Sequence, residues 1–203
     1  RKVSDKPKTF ISASATGYYG DRGAEELSES SSAGNMFVSQ VAKEWEEEAA
    51  KASELGIRTV IPRIGIVLTP EGGALRKMLP AFSAGVAGPL GSGAQWMSCI
   101  GIDDLIYAIQ FLLEQERSEG AYNLTCPEPL TNATFTKALG TVVRRPTVIP
   151  VPEFALNLAF GEMAEELLLA SVKALPHRLL EEGFTFSFPT VMSTLKFVLG
   201  RQL

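Results

Sequence analysis

The stretch Lys8-Thr-Phe-Ile-Ser-Ala-Ser-Ala-Thr-Gly-Tyr-Tyr-Gly-Asp21 decides how the rest of the sequence is interpreted. Its β-branched and aromatic start, Thr9 to Ile11, predicts a buried strand. The strand is followed by a turn rich in hydroxyl side chains and glycine, namely Ser12, Ser14, Thr16, Gly17 and Gly20. In an open α/β sheet, ligands collect at the carboxyl ends of strands, so this turn predicts one wall of a small-molecule site. The alternative is a turn whose hydroxyls bond only their own backbone.

Composition and charge argue against some classes of function. The chain has 203 residues, of which 45% are hydrophobic and 21% are charged, and its formal net charge is −4. This balance argues against a nucleic-acid or anionic-membrane partner, because both usually need a basic face. No apolar run in the sequence is long enough to span a bilayer. Cys99 and Cys126 have no metal-ligand spacing, which predicts no metal site and reduced, partly buried thiols in a reducing compartment.

Strands alternate with helices through the first two thirds of the chain, which predicts βαβ units and a parallel sheet. A helix from Asn35, as N-cap, to about Glu54 is predicted to bury one apolar stripe, formed by Phe37, Val41, Trp45 and Ala49. The run from Ile57 to Leu68 predicts a buried strand, in which Arg63 must be paired or point into a polar cavity. The mostly helical last third predicts a cap over the carboxyl edge of the sheet.

Three further motifs contain residue types that are common in functional sites. The run Gly88-Pro-Leu-Gly-Ser-Gly93 lacks the Lys-Ser/Thr ending of a phosphate-binding loop and precedes a strand, so it predicts a pocket-rim loop. Asp103 and Asp104 stand where a helix should begin and are interpreted as its capping residues. His177 is interpreted as a surface histidine.

A hydroxyl close to a phenol suits proton transfer to a carbonyl, and Ser14 lies four residues before Tyr18 and five before Tyr19. The serine would polarise the carbonyl while a tyrosine moves the proton. The alternative is that the two tyrosines simply pack the loop.

Several motifs occur together in an order that resembles a known family. They are Ser-Ala-Thr-Gly-Tyr-Tyr-Gly at 14–20, Lys-Glu-Trp-Glu at 43–46, Arg-Ile-Gly-Ile-Val-Leu at 63–68, Gly-Gly-Ala-Leu at 72–75, Gly-Pro-Leu-Gly-Ser-Gly at 88–93, Asp-Asp-Leu at 103–105, Leu-Pro-His-Arg at 175–178 and Gly-Phe at 183–184. The chain resembles the epimerase-like branch of the extended short-chain dehydrogenase/reductases, the SDR39U-type proteins of bacteria and plastids. Some members carry the label of cell-division inhibitor. The resemblance covers the chain from about Thr9 to Leu199.

The resemblance implies an α/β fold: the C-terminal half of a Rossmann-like, doubly wound parallel sheet, in residues 1–145, and a mainly helical substrate cap, in residues 146–203. The N-terminal dinucleotide-binding half is expected to be absent from this chain. The resemblance also implies NADP(H) as cofactor and a small-molecule substrate, with a possible protein partner. The implied location is a bacterial cytoplasm or a plastid stroma.

By the same resemblance, Ser14 matches the serine that hydrogen-bonds the reacting carbonyl, and Tyr18 or Tyr19 is the remaining proton donor. The expected cofactor contacts are Ser12, Ala13, Thr16, Arg63, Ile64, Gly65, Ile66 and Val67. The expected substrate-pocket residues are Leu90, Gly91, Ser92, Gln95 and Trp96.

The sequence departs from the family pattern at three places. The glycine-rich pyrophosphate fingerprint is not found. The Tyr-x-x-x-Lys pair is missing, with Phe37 where the tyrosine is expected and Lys43 out of register. Gly101 stands where relatives usually have histidine. The sequence therefore leaves two functions open: an NADP(H)-dependent epimerase-like oxidoreductase, and a non-catalytic scaffold that senses a cofactor or binds a partner, with a link to cell or plastid division.

Overall fold

The computed structural model describes residues 5–200 and consists of short strands and helices that alternate along the chain. The strands are β1 (Thr9–Ile11), β2 (Ser14–Ala15), β3 (Glu26–Leu27), β4 (Arg58–Ile64), β5 (Ile66–Leu68), β6 (Trp96–Met97), β7 (Cys99–Gly101), β8 (Gly120–Leu124), β9 (Leu130–Thr131) and β10 (Lys173–Ala174). The α-helices are α1 (Phe37–Ala50), α2 (Gly73–Ala84), α3 (Ile102–Glu114), α4 (Asn132–Val143), α5 (Glu153–Phe160), α6 (Glu162–Ala164), α7 (His177–Glu181) and α8 (Val191–Val198). Short 3-10 turns at Thr16–Tyr19 and Ser53–Leu55 and a π turn at Glu165–Leu169 complete the list.

A parallel sheet around β4 is the centre of the fold. On one side of β4, β1 pairs with its first half, and β2 continues in the same direction along its second half. On the other side, β8 pairs in parallel with β4 from Val60 to Ile64. The predicted parallel neighbourhood of the first strand and the strand in 57–68 is therefore confirmed, and the fold is α/β and Rossmann-like.

The run predicted as one strand over 57–68 is broken at Gly65. Beyond it, β5 leaves the main sheet and pairs in parallel with β7. The backbone at Gly65 lies against that of Ser98, since a Cβ added at the glycine would be 2.5 Å from the Ser98 carbonyl oxygen. The glycine thus permits the close approach that lets the chain change partners.

Two apolar clusters hold the layers together. One lies between the sheet, α3 and α7 and includes Val60, Leu105, Leu112, Tyr122 and Leu179. The other joins α2, α4 and α8 through Leu75, Phe135, Leu139, Val191 and Leu195. The last helix therefore packs into the same core as α2 and α4. The boundary at residue 145 stays a prediction.

Helix α1 buries a different face from the predicted one. Phe37 and Trp45 are 70% and 63% exposed, so their assignment to the core is wrong. The buried positions are Ser39, Ala42, Glu46 and Ala49. Small and polar side chains on this face allow the helix to lie close to the sheet, and the buried polar groups find partners there.

Asn35 is not the N-cap of α1, which begins one residue later than that assignment requires. Met36 is the N-cap and offers no side-chain hydrogen bond. Instead, the carboxylate of Glu166 accepts from the backbone N–H groups of Phe37 at 3.1 Å and Val38 at 2.9 Å. A side chain from a distant segment thus satisfies two of the free amides at this helix end.

The acidic pair in the first turn of α3 is only partly explained by helix capping. Both carboxylates lie in the first turn, as expected for the helix dipole. Asp104, however, is completely buried and accepts from the backbone N–H groups of Ser187 at 2.8 Å and Phe188 at 3.0 Å. Its assignment as a capping residue is therefore wrong, because it anchors the segment before α8. Thr131 caps α4 by accepting from the Thr134 N–H.

Cys99 and Cys126 are free and buried, in agreement with the predicted reduced thiols. Burial raises the pKa of the Cys99 thiol and raises that of Cys126 to about 11, from an ordinary value of 9.0. Because the folded-state pKa of Cys126 is the higher one, the stabilising contribution of its thiol is complete below about pH 9 and is lost as the pH rises toward 11.

We expect both thiols to resist Ellman's reagent at pH 8 in the native protein and to react at once after unfolding in urea. We also expect the free energy of unfolding to fall less steeply between pH 9 and 11 in Cys126→Ala than in the unchanged protein, as measured by urea denaturation at each pH. Rapid native-state labelling of Cys99 at pH 8 would contradict this account.

Over residues 5–200, no helix has the length and apolar character that crossing a membrane requires. The same residues hold no cluster of histidine, cysteine, aspartate and glutamate that suits a metal ion.

Candidate functional site

Three polar side chains form a row across the carboxyl half of the central sheet. In the parallel register, Ser14 of β2 lies beside Arg63 of β4, and Arg63 lies beside Asn123 of β8. Residues in register on neighbouring strands point to the same face of a sheet. All three are buried, and α1 lies over them and supplies Glu46.

Glu46 joins the first two members of this row. Its Oε1 accepts from the Ser14 Oγ at 2.7 Å and from the Arg63 Nε at 2.9 Å, while its Oε2 accepts from the Arg63 Nη2 at 2.7 Å. The side chains of Arg63 and Glu46 are only 5% and 10% exposed. The prediction that Arg63 must be paired is therefore confirmed, with a two-point ion pair of favourable geometry.

Tyr19 extends the row toward Asn123. Its hydroxyl accepts from the Arg63 Nη1 at 3.0 Å and lies 2.7 Å from the Asn123 Oδ1, to which it donates. The residue is completely buried, and burial raises the pKa of its phenol although Arg63 and Asn123 act in the opposite direction. This placement gives no support to Tyr19 as a proton donor to a ligand.

Tyr18 has the opposite environment. Its ring covers the guanidinium of Arg63, whose Cζ is 3.6 Å from the ring centroid. Its hydroxyl has no hydrogen-bond partner among the described residues. Since every buried side-chain oxygen of those residues does have a partner, the Tyr18 hydroxyl is in contact with solvent. Of the two tyrosines, Tyr18 is the one whose phenol is free to meet a ligand.

Arg63 uses its donors within the protein. Besides Glu46 and Tyr19, its Nη1 donates to the Glu29 carbonyl oxygen at 3.1 Å. Burial by itself lowers the pKa of Arg63, but hydrogen bonds and charges from Glu46 and Tyr19 reverse the effect and raise it. The side chain is therefore a permanent buried cation that faces α1, and this geometry gives no support to its predicted contact with a cofactor.

The other expected cofactor contacts flank β2 and run from the last residue of β4 into β5. Ser12 is half-buried, Ala13 is exposed and Thr16 is buried at the start of the 3-10 turn. The segment Ile64–Val67 is half-buried throughout. The structure thus brings the two segments to the same edge of the sheet, where a ligand of an α/β protein is expected.

The expected substrate-pocket residues lie on a loop that is tied to the C-terminal segment. Leu90 forms a parallel bridge with Val151, and the Gln95 Nε2 donates to the carbonyl oxygens of Leu90 and Leu168, both at 3.1 Å. Gln95 is buried, Leu90, Gly91 and Trp96 are half-buried, and Ser92 is exposed. The loop is therefore a supported rim rather than a free one.

The hydroxyl-rich turn and this rim are connected through Ser171. Its Oγ donates to the Gly23 carbonyl oxygen at 2.6 Å and accepts from the Trp96 N–H at 2.9 Å. Gly23 lies shortly after the turn in the chain and Trp96 belongs to the rim, so Ser171 is hydrogen-bonded to both predicted walls of the site.

Two surface clefts are described, and no expected site residue lines either of them. One, of about 300 Å³, is lined by Leu79, Ser83, Val143, Arg145 and Leu199. The other, of about 400 Å³, is lined by Ser28, Glu29, Ser30, His177, Arg178 and Glu181. His177 is exposed, as predicted. Within residues 5–200, Ser14 thus belongs to a buried row at the edge of the sheet and not to a described cleft.

Sequence reasoning missed Glu46 and Asn123. A signal for the first did exist, because a buried arginine requires a counter-charge and the helix before β4 is rich in glutamate. Nothing in the sequence tells which of those glutamates turns inward. Asn123 gives no signal of its own, since an asparagine near a strand end usually marks a turn.

The comparisons with known proteins agree with this architecture. The model of the NAD dependent epimerase/dehydratase family matches residues 2–125, and a domain of unknown function, DUF1731, matches residues 151–198. Two solved structures are similar over nearly the whole chain. The human epimerase family protein SDR39U1 (isoform 2) with NADPH has a TM-score of 0.91 and 32% identity, over 99% of this chain and 68% of that one. A nucleoside-diphosphate sugar epimerase from Corynebacterium glutamicum has a TM-score of 0.79 and 34% identity, over 95% of this chain and 38% of that one.

Among curated relatives, an epimerase family protein from Mycobacterium tuberculosis is 44% identical over 95% of this chain and 64% of its own length. The Arabidopsis thaliana protein described as a chloroplastic SDR39U1 homolog is 39% identical over 96% of this chain and 55% of its own. The chain thus spans less than two thirds of these relatives. The chain belongs to the NAD dependent epimerase/dehydratase family and, within it, to the SDR39U-type branch of the extended short-chain dehydrogenase/reductases.

Proposed function

We propose that the protein is an NADP(H)-binding, epimerase-like oxidoreductase that acts on a small molecule. The observation that carries the proposal is the fixed serine: Ser14 lies in the two-residue strand β2, beside Arg63 near the carboxyl end of β4, and its hydroxyl is held by a buried carboxylate. Sites of α/β proteins lie at this edge, and a hydroxyl held there suits the reacting oxygen of a substrate. The NADPH in the similar human structure supports the choice of cofactor.

The residues at this edge fit the nicotinamide end of the cofactor in chemical character. Ile64, Ile66 and Val67 are half-buried and offer an apolar surface, while Ser12 and Thr16 offer hydroxyls. When bound, NADP(H) supplies or accepts the hydride. No glycine-rich fingerprint for the pyrophosphate is found in residues 1–203, so that contact is assigned to no residue of this chain.

In this proposal Ser14 orients the reacting oxygen and Tyr18 moves the proton. Tyr19 is less suited, because its buried hydroxyl is engaged with Arg63 and Asn123. Arg63 is a buried positive charge behind these groups, and its guanidinium stacks against the Tyr18 ring. The loop Leu90–Trp96 forms the substrate side, with residues 146–203 as the cap. A bacterial cytoplasm or a plastid stroma is the proposed location.

A second candidate is a non-catalytic scaffold that senses the cofactor or binds a protein partner, with a role in cell or plastid division. The observation that favours it is Phe37, which stands at the start of α1 in place of the family's acid and is largely exposed. Loss of a general acid typically reduces a rate by about two to four orders of magnitude.

The test uses the full-length protein. NADPH binding is measured by fluorescence, and NADPH oxidation is then followed with a panel of aldehydes and ketones. Binding with turnover supports the enzyme, binding without turnover across the panel supports the scaffold, and no binding contradicts both.

If turnover is found, we expect Ser14→Ala to lower kcat about 100-fold or more while the Kd for NADPH stays within about twofold, because the hydroxyl acts on the substrate oxygen. Ser53→Ala is the matched control, since Ser53 is exposed in a 3-10 turn outside the site. Unchanged turnover in Ser14→Ala would remove Ser14 from the mechanism.

A further inference from the structure

We propose that Glu46 is a positioning residue for Ser14: it holds the serine Oγ in one rotamer, from which the hydroxyl proton turns to a substrate oxygen when one is bound. The inference deepens the proposed function and rests on it for the catalytic consequence. Its geometric content stands on the buried contacts of α1 with the central sheet.

The contact between the two side chains is short and sheltered from water. The Ser14 Oγ donates to the Glu46 Oε1 at 2.7 Å, and Ser14 is only 8% exposed. A hydrogen bond to a carboxylate in such surroundings is stronger than one between neutral groups. A serine side chain otherwise rotates among three staggered positions, so this bond selects one rotamer and one direction for the proton.

Glu46 is itself held in place at both oxygens. Arg63 donates to Oε1 from Nε at 2.9 Å and to Oε2 from Nη2 at 2.7 Å. Arg63 is in turn fixed by the Tyr19 hydroxyl and by the ring of Tyr18. The carboxylate therefore cannot swing away from Ser14 without breaking a two-point ion pair.

Glu46 accepts one more hydrogen bond than the neutralisation of Arg63 requires. Two hydrogen bonds from the guanidinium already satisfy the charge, yet Oε1 is shared with the serine. The other glutamates of the same helix, Glu44, Glu47 and Glu48, are exposed. Glu46 thus links the side chain proposed to hold the substrate oxygen to the cation that underlies Tyr18, and it sets the position of Ser14 from within the protein.

The orientation of Ser14 is measured directly by NMR on the full-length protein, from the Hα–Hβ couplings that report its χ1 angle. We expect one rotamer in the unchanged protein and averaged couplings in Glu46→Ala, which removes the acceptor of the Ser14 hydroxyl proton. Ser39 lies on the same helix and donates to the Gly17 carbonyl oxygen instead, so its couplings should not change.

Because Glu46→Ala leaves Arg63 without its carboxylate partner, a second variant is needed. Glu46→Leu combined with Arg63→Met removes both charges and keeps the volume apolar, which retains the fold. Glu47→Gln is the matched control at the neighbouring exposed position, whose contact is a surface pair with Lys43. Averaged Ser14 couplings in the double variant, with a circular dichroism spectrum like that of the unchanged protein, support the proposal. A single Ser14 rotamer in both Glu46 variants overturns it.

Where the carbonyl panel gives turnover, we expect Glu46→Ala to lower kcat about 10- to 100-fold with KM within about twofold, because a misplaced hydroxyl stabilises the transition state less while binding is largely kept. Unchanged kcat with averaged couplings would overturn the catalytic part. If the unchanged protein binds NADPH without turnover, the proposed enzymatic function fails, and the NMR comparison still decides whether Glu46 positions Ser14.

Discussion

Replacing Glu46 by leucine is expected to lower the free energy of unfolding by about 3–5 kcal/mol. Arg63 would then remain as an unpaired cation in the interior, where its side chain is only 5% exposed. Ser14 would also lose the acceptor of its hydroxyl proton. The loss is measured as the change in urea denaturation midpoint at constant slope.

Two companion variants distinguish the effect of an unpaired buried charge from the effect of losing the Glu46 side chain. Glu47→Leu changes an exposed position of the same helix and should shift the unfolding free energy by about 0.5 kcal/mol or less. The double variant Glu46→Leu, Arg63→Met leaves no charge behind and should be clearly more stable than Glu46→Leu alone. If the single and double variants were equally destabilised, the loss could not be attributed to an unpaired arginine.

The central sheet is the part of the fold that the sequence predicts well. Residues 57–68 are rich in β-branched side chains and carry only two charges, Arg58 and Arg63, and the strand before the hydroxyl-rich turn is also β-branched and aromatic. Such runs fit buried strands of a parallel sheet, and both lie in that sheet. The prediction of burial holds for β4 but not for β1, where Phe10 is 40% exposed. The break at Gly65 is not readable in advance, because it depends on the approach of Ser98 from another strand.

The face of α1 shows where pattern reasoning fails. Apolar side chains at steps of four residues, Phe37, Val41 and Trp45, predict a buried stripe, yet both aromatics are mainly exposed. The helix instead buries a serine and a glutamate, whose burial is favourable only because Gly17, Ser14 and Arg63 offer partners. Those partners come from distant positions, so no period within the helix can reveal them.

The candidate site, like the fold, could be predicted only in part from the sequence. The hydroxyl turn and Arg63 were both singled out from the sequence, and the structure places Ser14 and Arg63 side by side in register. The sequence could not distinguish Tyr18 from Tyr19, because adjacent residues share the same composition signal. Their surroundings differ in the structure: one phenol is enclosed by Arg63 and Asn123, and the other is open to solvent.

Replacing Asp104 by alanine is expected to cost about 3 kcal/mol or more of unfolding free energy, although the residue lies in a first helical turn where substitutions are usually mild. Its carboxylate is completely buried and is the acceptor for two backbone amides, those of Ser187 and Phe188. Alanine would leave both amides without that acceptor just before α8, whose Val191 and Leu195 are part of the core formed with α2 and α4.

Asp104→Asn retains one acceptor oxygen, so its loss of unfolding free energy should be smaller than that of Asp104→Ala. Asp103→Ala tests the helix-dipole contribution of the neighbouring carboxylate and should cost about 0.3–1 kcal/mol. Urea denaturation gives the three values. Hydrogen exchange locates the effect, since faster exchange confined to the Ser187 and Phe188 amides and to α8 is expected from a lost anchor. Equal losses in Asp103→Ala and Asp104→Ala would mean that the two carboxylates act alike on the helix, and that the hydrogen bonds to the segment before α8 contribute little.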